Sequence, residues 1–196
     1  GNGKLEVLSQ LMRLRQICCD PALCFEDYTG ESAKLETCVS LIASASAAGH
    51  KILLFSQFAS MLERIRERLL QEGISSHLLV GATPKEERSR MVQAFASDEV
   101  PVFLISLKAG GTGLNLTAAD IVIHYDPWWN VAAQNQATDR AYRIGQEKPV
   151  TVYKLILKDT IEENLLKLQN AKLALAAQVV SEGMVSLGDL SQNELM

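Results

Sequence analysis

The sequence of 196 residues lacks several features that mark whole classes of proteins. Its 19 basic residues are outnumbered by 23 acidic ones, so the net charge of -4 provides no global basic field that would attract nucleic acid. No apolar run approaches the roughly 20 residues that cross a bilayer, and no signal-peptide pattern opens the sequence. We therefore expect no membrane contact, and any contact with nucleic acid has to come from a local patch.

Metal-binding residue types are also scarce. The 4 cysteines crowd the N-terminal part without a Cys-x-x-Cys pair, and the 3 histidines lie elsewhere in the chain. This spacing argues against a zinc site and indicates reduced thiols in a cytosolic or nuclear compartment. We predict no metal that this chain binds alone.

Short apolar runs alternate with helical patterns over most of the chain, and 47% hydrophobic residues are enough for a sizeable core. Each run has the continuous apolar character of a strand buried on both faces. The sequence therefore predicts an α/β fold, with a parallel sheet, helices on both faces and right-handed crossovers. The predicted strands are 51–56, 77–80, 102–106, 121–125 and 150–156. The predicted helices are 5–18, 32–48, 57–71, 84–95 (capped by Thr83, with Pro84 first), 131–143 and 160–180.

Residues 134–146, QNQATDRAYRIGQ, carry the strongest polar pattern. On a helix that Gly145 ends, Gln136, Arg140 and Arg143 would form one stripe, and both guanidinium groups would leave the domain in the same direction. A planar fork of donors with a permanent charge suits a transferring phosphoryl group. The alternative is a salt bridge between Asp139 and Arg143 on a solvated helix face.

A glycine-rich loop, SLKAGGTGLNLT at 106–117, follows one predicted strand. Gly110, Gly111 and Gly113 would let backbone N–H groups approach an anion closely, and a phosphate is the natural guest. Parallel sheets bind ligands beyond the carboxyl ends of their strands, which is where this loop lies. The alternative is a turn that only reverses the chain.

Another predicted strand is followed by DPWWN at 126–130. Two adjacent tryptophans in such a loop cannot both point into one core, so at least one is expected at a surface or partner contact. Core packing is the alternative for either ring taken alone. His124 lies in the strand without a neighbouring histidine or cysteine, which favours a structural role over a metal ligand.

Together these residues resemble, in order and spacing, the second RecA-like lobe of the Swi/Snf-type DNA-translocating ATPases. Residues 11–21 look like the segment that precedes this lobe, particularly in bacterial members. The resemblance spans nearly the whole chain and implies a helical lead-in at 1–49, a RecA-like lobe at 50–158 and a C-terminal helix and tail at 159–196. The matching motifs are KILLFSQF, GATPKEERSRMVQAF, SLKAGGTGLNLT, DPWWN and QNQATDRAYRIGQ.

The resemblance implies that this chain is half of an ATP site, because ATP binds between two lobes in that family. Arg140 and Arg143 would be arginine fingers that reach the γ-phosphate, and Gln136 would support their motif. The residues expected to border the nucleotide are Gly111, Gly113 and Asn115. The residues expected near the DNA phosphate backbone are Ser56, Gln57, Thr83, Ser106, Lys108 and Ala109, with Trp129 toward the minor groove.

One departure from a complete ATPase is that the sequence contains neither a G-x-x-x-x-G-K-S/T phosphate loop nor a paired-acid metal motif. We therefore expect that the chain alone does not hydrolyse ATP. In the intact enzyme, ATP and Mg²⁺ would be used, with Mg²⁺ held by the other lobe. The expected partners are double-stranded DNA and the N-terminal RecA-like lobe of the same protein, in a bacterial cytoplasm or a eukaryotic nucleus.

Two other functions stay open at this point. A strand-separating helicase lobe would use the same half-site. A non-catalytic module would instead dock DNA or a protein through Trp128 and Trp129, without a role for the arginines.

Overall fold

The computed structural model describes residues 2–109, 114–143 and 145–193. It confirms the α/β architecture: a five-stranded parallel sheet has the order β2-β3-β1-β4-β5, with helices on both faces. The strands are β1 Ile52–Ser56, β2 Ser76–Leu79, β3 Val102–Ser106, β4 Ile121–His124 and β5 Thr151–Lys154. The helices are α1 Asn2–Cys19, a short 3₁₀ turn Pro21–Leu23, α2 Ala33–Ala47, α3 Ala59–Gln71, α4 Lys85–Ser97, α5 Val131–Thr138 and α6 Ile161–Asn193.

The alternation of side chains along the strands divides the core into two layers. Ile52 and Leu54 of β1 face a layer that includes residues of α2 and α3. Leu53 and Phe55 face the opposite layer, which includes Phe95 of α4 and residues of α5. Since helices cover both faces, the central strand has to be apolar at consecutive positions rather than at alternate ones.

The prediction that all five strands are buried is wrong at the two edges of the sheet. The central strands β1, β3 and β4 are buried at every position. In contrast, β5 is mostly exposed and β2 is mostly half-buried. An edge strand has a neighbour on one side only, and an apolar run in the sequence does not reveal which strand will take that place.

Three predicted helix ends are also wrong. Pro84 is the N-cap of α4 without a side-chain cap bond, and Thr83 Oγ1 instead accepts from the N–H of Val80 at 3.1 Å. Helix α5 ends at Thr138, so Gly145, with φ of 103°, ends no helix. Helix α6 continues to Asn193, well past the predicted end. No helix in the described ranges is long and apolar enough to span a membrane.

A buried ion pair fixes α6 to the body of the domain. Lys34 Nζ of α2 lies 2.6 Å from Glu162 Oε1, and the two side chains are only 4% and 1% exposed. Lys34 Nζ also donates to the carbonyl of Tyr125 at 2.8 Å, while Glu162 Oε1 accepts from the N–H of Leu157 at 2.9 Å. The first turn of α6 is therefore tied directly to α2 and to the segment that follows β5, and Lys34 links it to the segment that follows β4.

Candidate functional site

The strand order places the predicted DNA contacts along one edge of the sheet. Ser56 at the end of β1 is in register with Ser106 at the end of β3. The N–H of Leu107 donates to the carbonyl of Ser56 at 3.1 Å, and the N–H of Tyr125 donates to the carbonyl of Phe55 at 3.0 Å. Thus the segments after β2, β3, β1 and β4 form one continuous row at the carboxyl end of the sheet.

The predicted DNA contacts differ in exposure along this row. Lys108 is exposed, and the side chain of Trp129 is 42% exposed. Gln57 and Thr83 are half-buried. The buried members are Ser56, Ser106 and Ala109.

The buried members of the row are bonded inside the protein. Ser56 Oγ donates to Oδ1 of Asp126 at 2.5 Å, and the N–H of Ala109 donates to the carbonyl of Ser106 at 3.0 Å. They support the strand ends that carry the more exposed side chains. Contact between these buried residues and a phosphate stays a prediction.

The buried carboxylate of Asp126 holds two residues of this row in place. It is 1% exposed, and its Oδ2 accepts from the N–H of Gln57 at 3.3 Å, in addition to the bond from Ser56. Burial raises the pKa of Asp126 to about 6, against the opposing effects of the Ser56 hydroxyl and the Lys34 ammonium. The carboxylate therefore orients two predicted DNA contacts at an energetic cost to the ionised form.

Asp126→Asn should remove a pH-dependent part of the stability. Burial raises the pKa of Asp126 in the folded protein above its ordinary value of 3.8. The protonated carboxyl therefore contributes stability below pH 3.8, and this contribution is lost as pH rises through about 6. Asparagine does not titrate, so the stability of the variant relative to wild type should rise by about 3 kcal/mol across that window. Urea unfolding of both proteins at several pH values measures this difference, and other titrating groups cancel in it. A difference that stays constant or falls with pH would contradict this account of Asp126.

The two tryptophans point in different directions, as the sequence predicted. Trp128 is 1% exposed and packs edge-on against Phe55 and His124, with ring centroids 6.2 and 5.5 Å away. Trp129 is 42% exposed, and the guanidinium of Arg15 lies over its ring at 5.6 Å. Trp129 is therefore the aromatic group of this loop that is available to a partner.

His124 has a structural environment. Its Nε2 lies 2.8 Å from Thr138 Oγ1, and its ring stacks on Phe55. Burial, and then the charge of Lys154, lowers the pKa of His124 to about 4, so the ring is neutral near neutral pH. Within the described ranges, no group of three or more His, Cys, Asp or Glu side chains could hold a metal ion.

The arginine segment departs from the predicted helical stripe. Since α5 ends at Thr138, both arginines lie in the turns that follow it, where Arg140 is only 2% exposed while Arg143 and Gln136 are exposed. Burial, and then the nearby charge of Arg143, lowers the pKa of Arg140. A buried and an exposed positive group are thus held close together by tertiary structure rather than by one helix face.

Hydrogen bonds join the arginine segment to the far side of the glycine-rich loop. The N–H of Leu116 donates to the carbonyl of Arg140 at 3.3 Å. Gln146 Nε2 donates to the carbonyls of Thr117, Ala119 and Ala141 at 3.0, 2.8 and 2.9 Å. The two segments are therefore directly bonded to each other.

The near side of the glycine-rich loop is held by α4. Arg88 Nη1 donates to the carbonyl of Ala109 at 2.9 Å. An open groove of about 580 Å³ lies beside it, and its lining includes Thr83, Lys85, Arg88, Ser89 and the exposed Asn115. Gly111 and Gly113, which were predicted to border a nucleotide, lie outside the described residues.

The sequence reasoning missed the residues that support this site. No role was predicted for Asp126, Gln146 or Arg88, although each lies within one of the motifs that carry the resemblance. Their partners lie 70, 29 and 21 residues away along the chain, so local periodicity could not pair them. For Asp126 the available signal was chemical, because a carboxylate that directly follows an apolar strand needs a buried partner.

Comparisons with known proteins show the family of this chain. The model of the helicase conserved C-terminal domain matches residues 33–145. The Bacillus subtilis protein YwqA, which carries the name of an ATP-dependent helicase/translocase, is 44% identical over 201 residues, or 98% of this chain and 21% of that protein. The Mus musculus SWI/SNF-related matrix-associated actin-dependent regulator of chromatin subfamily A member 1 is 36% identical over 205 residues, or 98% of this chain and 19% of that protein.

The fold has a similar match among solved structures. The Sulfolobus solfataricus SWI2/SNF2 ATPase C-terminal domain aligns with a TM-score of 0.72 and 34% identity, over 88% of this chain and 72% of that chain. In contrast, the chain spans only about a fifth of the length of the two curated relatives.

Proposed function

Because the chain belongs to the helicase conserved C-terminal domain family and is the C-terminal lobe of a Swi/Snf-type ATP-dependent helicase or translocase, we propose that it works in double-stranded DNA translocation. In this proposal the lobe supplies arginine fingers to ATP and phosphate-backbone contacts to DNA. The other lobe of the same protein supplies the phosphate loop and holds Mg²⁺.

The observation that carries this proposal is the bonded connection between the arginine segment and the glycine-rich loop. Gln146 and the carbonyl of Arg140 bind Leu116 and Thr117 at the end of this loop and Ala119 just after it. Lys108 lies at the beginning of the same loop. One short stretch of chain therefore links the predicted ATP contacts to a predicted DNA contact, which is the connection that a translocating lobe needs.

The charges of this segment fit a polyphosphate. Arg140 and Arg143 lie close enough for the charge of Arg143 to lower the pKa of Arg140. A polyanion would relieve this repulsion, and an arginine fork can bind two phosphate oxygens at once. When bound, ATP supplies the bond whose cleavage drives the cycle. The role of these residues would be to neutralise charge on the γ-phosphate, while Gln136 would support their motif and Asn115 would border the nucleotide.

The row at the carboxyl edge of the sheet suits a DNA backbone. It offers an ammonium group at Lys108, a half-buried amide at Gln57 and a hydroxyl at Thr83. Such groups bind phosphates and fix the register of the protein without reading base sequence. A translocase that moves along any sequence requires this kind of contact.

The mechanism follows from these two sets of contacts. Binding of ATP between the lobes would close them, and hydrolysis would let them open. In each cycle this lobe would release one strand's phosphates and bind them again further along. The glycine-rich loop would couple the two events, because its two ends are attached to the DNA row and to the arginine segment.

Lys108→Ala should weaken DNA binding by the intact protein and flatten its salt dependence. The side chain is exposed, so its removal should leave the fold intact. Loss of one phosphate contact should reduce the slope of log Kd against log salt by about one. Fluorescence anisotropy titrations of a DNA duplex at several salt concentrations measure this slope. The control is Arg66→Ala, which removes an exposed positive charge of α3 that is not among the predicted DNA contacts. An unchanged slope for Lys108→Ala would refute its assignment.

Translocation can be separated from strand separation by two substrates. A translocase displaces the third strand of a DNA triplex without opening the duplex beneath it, whereas a strand-separating helicase opens a forked duplex. We expect ATP-dependent triplex displacement by the intact protein and no unwinding of the fork. Unwinding would favour the helicase alternative.

The third function, a binding module that docks DNA or a protein through Trp128 and Trp129, makes a different prediction, although Trp128 is buried. In that case, changes at Arg140 and Arg143 would have no effect on the activity of the intact protein.

A cytoplasmic location in a bacterium, or a nuclear one in a eukaryote, stays a prediction.

A further inference from the structure

A single buried side chain connects helix α6 to the loop that carries the two tryptophans. Gln169 is 3% exposed, and its Nε2 donates to the backbone carbonyl of Trp128. The same nitrogen lies 3.4 Å from Oε1 of Gln134, which accepts from the N–H of Trp128 at 3.2 Å. Two glutamine side chains, one from α5 and one from α6, therefore bind both backbone polar groups of Trp128.

The two glutamines form a clamp on Trp128, whose ring is also fixed. Trp128 is buried between Phe55 and His124, so neither its backbone nor its side chain is free to turn. Trp129 is the next residue, and its exposed ring leaves the protein beneath the guanidinium of Arg15. The direction in which Trp129 points is thus set by the orientation of Trp128.

Gln169 lies on the buried face of α6. Glu162, Leu165 and Gln169 are buried at helical spacing along this face. One turn further on, Lys172 and Leu173 line an open notch together with Trp129. The helix that carries the clamp therefore also forms a wall beside the exposed ring.

We propose that Gln169 is a positioning residue, which holds Trp128 so that Trp129 stands ready to enter the DNA minor groove. The DNA part of this inference rests on the proposed function. A primary amide is suited to the task because it is neutral and donates to a buried carbonyl. Leucine fills a similar volume but leaves the carbonyl of Trp128 without this donor, so the loop gains freedom.

The clamp is tested in a variant in which Trp129 is the only tryptophan of the 196-residue chain. The chain has 2 tryptophans, and Trp128→Phe removes the other. Phenylalanine is a mild replacement, because the indole N–H of Trp128 has no hydrogen-bond partner in the described part of the chain. In this background, Gln169→Leu should increase the amplitude of the nanosecond wobble of Trp129, measured by time-resolved fluorescence anisotropy, at least twofold.

A matched control separates positioning from general destabilisation. Leu165→Ala removes packing from the same face of α6 without touching the clamp, and it should lower the melting temperature at least as much as Gln169→Leu. We expect the wobble of Trp129 to stay unchanged in this control. Equal wobble in the parent and Gln169→Leu, or equal increases in both variants, would overturn the proposal.

The DNA part is measured in the intact protein. Gln169→Leu should raise the Kd for a DNA duplex by roughly threefold to tenfold, because a free loop has to be ordered on binding. Trp129→Ala should remove this sensitivity, so Gln169→Leu should cost little in that background. If the wobble increases while Kd stays constant, Gln169 does not position a DNA contact. If the parent binds no DNA, the proposed function fails, and the fluorescence result still decides whether the clamp exists.

Discussion

Arg140→Lys in the intact protein should lower the turnover number for ATP by roughly three powers of ten. Lysine keeps the positive charge, but it lacks the planar fork that can bind two oxygens of a phosphoryl group. Arg140 is also buried, so a shorter point charge at this position cannot move freely toward the nucleotide. DNA affinity should change little, because Arg140 lies after α5 rather than in the row that includes Lys108. Steady-state ATP hydrolysis and DNA titrations on the same preparations measure the two effects.

The control for this change is Arg66→Lys. Arg66 is exposed on α3, in the chain segment between β1 and β2, and has no assigned role. It should leave turnover and DNA affinity unchanged. A thermal melt of each variant detects loss of fold. Survival of turnover in Arg140→Lys, or an equal loss of turnover and DNA affinity, would refute the assigned role.

Glu162→Leu should destabilise the chain by about 3–5 kcal/mol, because it leaves the buried ammonium group of Lys34 without its carboxylate. Lys34→Met should have a similar cost, since it leaves the carboxylate buried and unpaired. The double variant should recover most of this loss, because two apolar side chains of similar volume do not require desolvation of charge. Urea unfolding of the four proteins measures the coupling between the two positions.

A neighbouring glutamate provides the control for the buried pair. Glu163 is half-buried, and its Oε2 accepts from the N–H of Asp159 at 3.1 Å in an exposed bond. Glu163→Leu should therefore cost only about 1 kcal/mol. Additive losses in the double variant of Lys34 and Glu162 would mean that the two groups do not depend on each other.

The fold could be predicted because the central strands are continuous apolar runs that stand out from the helical pattern around them. The run at 52–55 is buried in full, and its neighbours β3 and β4 are buried in the same way. The exposure of the edge strands was harder to predict, because residues such as His77 in β2 and Tyr153 in β5 do not show from the sequence whether they face water. Strand order depends on pairings between segments that are far apart in the sequence.

The arginine segment shows where periodicity misleads. Ala137 and Ala141 are both buried, as an apolar stripe on one helix would have them, yet the helix ends between them at Thr138. Ala137 is buried within α5, whereas the burial of Ala141 comes from the turns that follow it. Gln146 binds the carbonyl of Ala141 in these turns and those of Thr117 and Ala119 in the neighbouring segment. The roles of Arg140 and Arg143 were predicted from the resemblance, and they remain proposals.

The tryptophan pair was predictable in outline from steric reasoning. The prediction that the two rings cannot share one core is confirmed, since Trp128 is buried and Trp129 is exposed. Steric reasoning alone did not reveal which ring would be outside, although the resemblance singled out Trp129. Neither revealed that Gln134 and Gln169 bind the backbone of Trp128. Those contacts join α5 and α6, which are separated by β5 in the sequence.

The central claim, that this lobe donates arginines to a site completed by another lobe, is tested most directly by ATP hydrolysis. The rate is measured with and without double-stranded DNA, for the chain alone and for the chain joined to its native upstream sequence. The account predicts no hydrolysis by the chain alone and DNA-stimulated hydrolysis by the joined protein. Hydrolysis by the chain alone would contradict the two-lobe mechanism, because a complete phosphate-binding and metal-binding site would then lie within these 196 residues.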